Sequence, residues 1–95
     1  MKRVVALVAA RDEGDRIGET VTALRALEPV AEVVVVDDGS RDETAPRSLA
    51  AGATVLRLDR ARGKGRALEG ALARLRDRPA DVWLLADGEI GRAHV

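Results

Sequence analysis

Ninety-five residues are enough for one small domain. Sixteen basic and 16 acidic side chains leave a formal net charge of zero, so nothing overall points to nucleic acid or an anionic membrane surface. Cysteine is absent, which removes disulfides and thiolate metal sites and suits a reducing, cytoplasmic setting.

The N-terminus carries Lys2 and Arg3, but Arg11 and Asp12 cut its apolar stretch short and no signal cleavage pattern follows. No apolar run approaches the roughly 20 residues that a membrane span needs. Val4 to Ala9 predicts instead a strand buried on both faces. A polar loop over residues 11–15 follows, with Asp15 as the expected N-cap. Ile17, Val21, Leu24 and Leu27, spaced by four and three, predict an amphipathic helix that Pro29 ends. Val33 to Val36 reads as a strand stopped by Asp37-Asp38-Gly39-Ser40. A short helix is expected from about Asp42 to Ala51, with Pro46 in its first turns and Gly52 as its stop. Thr54 to Leu58 predicts a third strand, followed by a charged, glycine-bearing loop over 59–65. Ala67, Leu68, Ala71, Leu72 and Leu75 form a helical stripe ended by Pro79, and Val82 to Ala86 is a fourth strand opening onto Asp87-Gly88-Glu89. Tyrosine and phenylalanine are absent, so Val, Leu, Ile and Ala must build the core, with Trp83 joining it.

The β-α-β-α-β-α-β order implies an α/β fold with a parallel sheet and right-handed crossovers. Ligands of such sheets bind outside the carboxyl ends of the strands, near a topological switch point. The polar clusters at 11–15, 37–40, 59–65 and 87–89 all follow strands and are expected to share that rim.

Asp37 and Asp38 end an apolar strand and repel each other. A carboxylate there can accept from a base N–H or a ribose hydroxyl, while Gly39 lets the backbone turn. The same residues also make an ordinary turn and cap. Arg62-Gly63-Lys64-Gly65-Arg66 stands just before a helix, where an anion is favoured. Lys64 is one of two lysines among 14 arginines, a compact charge suited to a diphosphate. A solvated basic loop is the plainer reading, and the spacing is not that of a P-loop. Asp87 and Glu89 offer hard oxygen ligands for Mg²⁺ or Mn²⁺.

In this order, Ala9-Ala10-Arg11-Asp12-Glu13, Val35-Val36-Asp37-Asp38-Gly39-Ser40-Arg41-Asp42-Glu43-Thr44, Arg62-Gly63-Lys64-Gly65-Arg66-Ala67-Leu68 and Asp87-Gly88-Glu89 resemble family 2 glycosyltransferases. The spelling is most similar to the bacterial polyprenyl-phosphate sugar transferase branch, over residues 3 to about 89. The resemblance implies a GT-A fold with a Rossmann-like sheet of strand order 3-2-1-4. Residues 1–88 would be the N-terminal, donor-binding half of that domain. It implies transfer of a sugar from a nucleoside-diphosphate sugar to an acceptor, lipid-linked acceptors included, with no nucleic-acid partner and no membrane segment in these residues. Ala9, Arg11 and Glu13 would contact the nucleotide, partly through backbone; Asp38 would meet the base or ribose, and Lys64 would approach the nucleotide. Asp87 and Glu89 match the DxD motif that holds a divalent cation against the donor diphosphate. Arg11 and Asp12 stand where an aromatic and an asparagine are common, and Glu89 replaces an aspartate. The catalytic base belongs to a later part of such folds, and residues 1–88 alone are expected to be inactive. A longer protein would work in the cytoplasm, at the inner membrane face if later helices anchor it.

A sugar-phosphate nucleotidyltransferase would ordinarily carry a glycine-rich loop after the first strand, which Ala9 to Glu13 lacks. A doubly wound binding module of the receiver type would place its acidic pair after the first strand, not the second. Residues 89–95 are expected not to be native: Glu-Ile-Gly-Arg-Ala-His-Val is the translation of the sequencing adapter AGATCGGAAGAGCACACGTCTGA after one preceding G. On that reading the native codon 89 keeps only its G, compatible with aspartate, and Arg92 and His94 carry no function. Reading the source DNA from an independent library should show an open frame there; an authentic stop after Val95 would contradict it.

Overall fold

A continuous apolar run suits a strand only if both faces of the sheet are covered, and the two longest runs form the two central strands. The structure, a computed structural model, describes residues 3–78 and 80–87. The elements are β1 (Val4–Ala10), α1 (Ile17–Arg25), β2 (Val30–Asp37), α2 (Thr44–Ala50), β3 (Thr54–Arg57), α3 (Lys64–Leu75) and β4 (Val82–Asp87). The sheet has the expected order β3-β2-β1-β4, with every pairing parallel.

Side-chain parity divides the core. Ala6, Val8 and Ala10 of β1 and Val33 and Val35 of β2 meet Ile17, Val21 and Leu24 of α1 on one face. Val5, Leu7, Val34 and Val36 point the other way, onto Ala67, Ala71 and Leu75 of α3, with Trp83 packed against them in part. Right-handed crossovers explain the split. The chain steps β1 to β2 to β3 in one direction, then returns past both to β4, so α3 must lie on the opposite face from α1.

Element bounds shift by one to three residues from the sequence reading, β2 beginning at Val30 and α3 at Lys64 among them, and three differences at the helix ends have a local cause. Leu27 was expected in the stripe of α1, but the helix ends at Arg25, where Leu27 N–H turns back onto the Leu24 carbonyl and the side chain is left exposed. Asp15 does not cap α1; Arg16 occupies that position, and the Glu13 carbonyl accepts from Arg16 and Ile17 N–H instead. Helix α2 begins at Thr44 because the Asp42 carboxylate accepts the Thr44 N–H at 2.9 Å, an Asx-type turn that keeps Asp42 outside.

Strand β4 pairs with β1 and has no neighbour beyond it among the described residues, while Val82, Leu84 and Leu85 are exposed. An unpaired apolar edge templates association. The 95-residue chain is therefore expected to self-associate at micromolar concentration, and Leu85→Lys to shift it toward monomer. Sedimentation velocity checks this; a wild-type chain that stays monomeric as concentration rises would contradict it.

Candidate functional site

Helices on opposite faces make β1 the topological switch point, with β2 on one side and β4 on the other. A crevice therefore opens outside the carboxyl end of β1. Ala9 and Ala10 end that strand, and Asp38 N–H donates to the Ala10 carbonyl, extending the β1–β2 ladder by one bond past the strand.

The two acids after β2 part company here. Asp37 shares the parity of Val33 and Val35, and its Oδ1 accepts the Ser40 N–H at 2.9 Å, closing the turn as the plainer reading expects. Its buried Oδ2 has no hydrogen bond and lies 3.8 Å from Arg57 Nε. Asp38 follows the parity of Val34 and Val36, toward the α3 face. Its Oδ1 accepts Arg62 N–H at 2.7 Å and its Oδ2 accepts Gly63 N–H at 3.0 Å. Asp38 is 3% exposed, so these are charge-assisted bonds in a largely dry setting. One carboxylate thus fixes the loop that delivers Lys64, the first residue of α3, to the rim. Gly63 takes φ +91° at the N-cap of α3, a conformation that costs an L side chain energy.

A second set of bonds locks the β1–α1 loop to the β2–α2 loop. Asp12 N–H donates to Ser40 Oγ at 2.9 Å, and Arg41 N–H to Asp12 Oδ1 at 2.8 Å. Glu13 N–H donates to Thr44 Oγ1 at 2.9 Å, and Gly14 N–H to Asp42 Oδ2 at 3.0 Å. Arg47 Nη1 reaches the Gly14 carbonyl at 3.0 Å. Glu13 accordingly frames the site through its backbone, while its carboxylate Oε2 is buried without a hydrogen-bond partner. Sequence reasoning missed this interlock, although the Asp42-Glu43-Thr44 spelling gives a local signal for an Asx turn.

The Thr44 hydroxyl, with the Gly14 and Thr44 N–H groups, holds the Asp42 carboxyl below its ordinary value of 3.8, against a smaller opposing effect of desolvation. A carboxyl depressed by folding contributes stability that is present above the unfolded value and lost as pH falls through the folded one. The stabilising contribution of Asp42 should therefore begin to fade near pH 3.8 and disappear below it. Urea melts from pH 5 downward should show a shallower acid loss for Asp42→Asn than for the wild type; identical slopes would remove Asp42 from the interlock.

Ala9, Ala10, Arg11, Asp38, Gly63 and Lys64 together line a cavity of about 160 Å³ at this rim. Four of the five expected nucleotide-binding residues, Ala9, Arg11, Asp38 and Lys64, are thus brought together, and Glu13 stands behind them. A larger hollow of about 600 Å³ near Val30 and Pro29 lies at the opposite end of the sheet, where β2 begins, and cannot share this chemistry. The backbone places Asp87 at the end of β4, paired with Ala9 of β1, on the other side of the crevice. Glu89, like residues 89–95 as a whole, lies outside the described residues. Among the described residues no cluster of three or more His, Cys, Asp or Glu forms a metal cage. No helix among them is long and apolar enough to cross a membrane.

The chain's similarities to known proteins agree with this arrangement. The sequence model of the family described as Glycosyl transferase family 2 matches residues 5–90. Glucosyl-3-phosphoglycerate synthase of Mycolicibacterium paratuberculosis is 32% identical over 102 aligned residues, which cover 98% of this chain and 30% of that protein. A crystal structure of a mycobacterial protein superposes with a TM-score of 0.76 at 31% identity, covering 92% of this chain and 31% of that one. Glucosyl-3-phosphoglycerate synthase from Mycobacterium tuberculosis, crystallised with Mn²⁺, UDP and glucosyl-3-phosphoglycerate, gives a TM-score of 0.76 at 27% identity over 92% of this chain and 33% of that one. The chain spans about 30% of the length of its curated relative.

Proposed function

The chain belongs to glycosyl transferase family 2, and from that premise we propose that its described rim binds the donor of a sugar-transfer reaction, a nucleoside-diphosphate sugar. The observation that carries this reading is the convergence of Ala9, Ala10, Arg11, Asp38, Gly63 and Lys64 on one cavity at the switch point of the sheet. The Ala9–Arg11 segment supplies a close backbone wall. Asp38 keeps lone pairs beyond the two that accept from Arg62 and Gly63, and with them meets the base or ribose. Lys64, at a helix N-terminus, places a compact cation toward the diphosphate.

Asp87 is the carboxylate that would hold a divalent cation, Mg²⁺ or Mn²⁺, with residue 89 as its expected companion. Its backbone position beside Ala9 fits a hard-ligand site at the diphosphate end of the crevice, and the Mycobacterium tuberculosis relative was crystallised with Mn²⁺ and UDP. The cation, when bound, would neutralise the charge of the departing diphosphate. In the reaction an acceptor oxygen bonds to the anomeric carbon as its bond to the diphosphate oxygen breaks. No described residue is assigned as the base that takes the acceptor's proton.

A phosphate-bearing acceptor suits both the polyprenyl-phosphate branch, whose motifs the sequence resembles, and the product named for the mycobacterial relatives. Calorimetry of UDP, GDP and the corresponding triphosphates with Mn²⁺ tests the donor reading. Preference for a nucleoside diphosphate supports it. Preference for a triphosphate favours the nucleotidyltransferase alternative.

A further inference from the structure

The rim has a second concavity beside the one proposed for the donor. Between the turn after β2 and the segment after β3 lies a cleft of about 480 Å³, lined by Arg11, Arg41, Arg57 and Arg60, with Asp59 as its one carboxylate. Arg57 is anchored: its Nη2 donates to the Ser40 carbonyl at 3.2 Å and its Nε lies 3.8 Å from Asp37 Oδ2. Asp59 lies 3.8 Å from Arg62 rather than pairing with an arginine of the lining. The side chains of Arg11, Arg41 and Arg60 make no hydrogen bond or ion pair among the described residues. A neighbouring hollow of about 380 Å³, lined by Arg60, Arg62 and Arg66, extends the basic surface.

In a chain of zero net charge, this convergence of like charges costs folding energy unless an anion occupies the cleft. Guanidinium groups in a concave wall match the oxygens of phosphate with paired N–H donors. Nucleic acid is a poorer match. The chain is 1% aromatic, so stacking platforms are lacking, and the basic groups line a pocket rather than a stripe. The donor diphosphate is a poor match as well: its expected partners are Lys64, in the cavity outside the end of β1, and Asp87 of β4, whereas this cleft is walled by residues after β2 and β3.

We infer that this cleft is a second anion site, specific for a phosphomonoester or diphosphate group and coupled to the donor cavity through Arg11, which lines both. The site itself stands on its own geometry, and only its coupling to the donor cavity rests on the donor reading. The phosphate can come from a soluble metabolite or from a lipid headgroup.

Isothermal titration of metal-free pyrophosphate into the 95-residue chain at low salt tests the site. The comparison is Arg41→Gln/Arg60→Gln, whose side chains are both exposed, against Lys64→Gln, with circular dichroism confirming that each variant folds. Saturable binding that weakens by about tenfold or more in the double variant, and by less than about threefold in Lys64→Gln, is expected. Absence of saturable binding overturns the inference. So does the reverse pattern, which would put pyrophosphate in the donor cavity. Co-sedimentation with phosphatidic acid vesicles, against phosphatidylcholine vesicles, identifies the source: retention lost in the double variant assigns a lipid phosphate, and no retention beside positive calorimetry assigns a soluble one.

Discussion

Gly39→Ala is expected to destabilise the chain by about 2–5 kcal/mol and to open the donor cavity. Gly39 has φ +69°, and a Cβ there would sit 2.5 Å from Ala61 N and 2.7 Å from the Arg60 carbonyl carbon. Both are backbone atoms, so no rotamer change relieves the overlap. The 60–61 segment must move, and it carries Arg62 and Gly63 away from Asp38, whose bonds to them fix the approach of Lys64. Small domains are stable by only about 5–15 kcal/mol, so the loss is a large fraction of the total. Gly18→Ala is the control: it lies within α1, nothing stands within 4 Å of its added Cβ, and it should be neutral or slightly stabilising. Urea denaturation of both variants checks this. A Gly39→Ala variant within about 0.5 kcal/mol of wild type, the range of an ordinary surface substitution, would contradict the packing of the turn against the segment after β3.

The second large effect is expected at Asp38. Asp38→Ala should weaken nucleotide binding by about 1.5–3 kcal/mol, roughly ten- to a hundredfold, because it removes a charged acceptor. Asp37→Ala should weaken it less, since Asp37 faces Ser40 and Arg57 instead of the cavity. Asp38→Ala should also speed amide exchange at Arg62 and Gly63, whose N–H groups lose their acceptor. Calorimetry giving equal affinity for wild type and both variants would remove Asp38 from the site. Unchanged exchange at Arg62 and Gly63 would remove its positioning role.

Much of this arrangement is legible in the residues. Runs such as Val33 to Val36 have no polar face, which requires a strand covered on both sides, and the alternation of such strands with helical stripes leads to the parallel sheet. The strand order came from the family resemblance, and the structure bears it out. Period-two parity then sends Asp37 and Asp38 to opposite faces, so adjacent acids do different work. Other features need contacts between distant segments. The tie of Asp38 to Arg62 and Gly63 depends on where α3 begins after a crossover. The interlock of Asp12, Glu13 and Gly14 with Ser40, Asp42 and Thr44 joins loops that are close only once β1 and β2 have paired. Arg41, Arg57 and Arg60 read singly as solvated charges, and only the folded rim gathers them with Arg11. Leu27 continues the apolar spacing of α1, yet the turn that closes on the Leu24 carbonyl leaves it outside the helix and exposed.

The crevice between Ala9–Arg11, Asp38 and Gly63–Lys64 is proposed to receive the nucleotide. Backbone amide shifts of the isotope-labelled chain, followed while UDP and GDP are titrated in the presence of Mg²⁺, decide this. Saturable shifts confined to residues 9–11, 38–39 and 62–65, and lost in Asp38→Ala, are the predicted result. No saturable shift with either nucleotide, or shifts centred on the hollow near Pro29 and Val30 at the far end of the sheet, would contradict it.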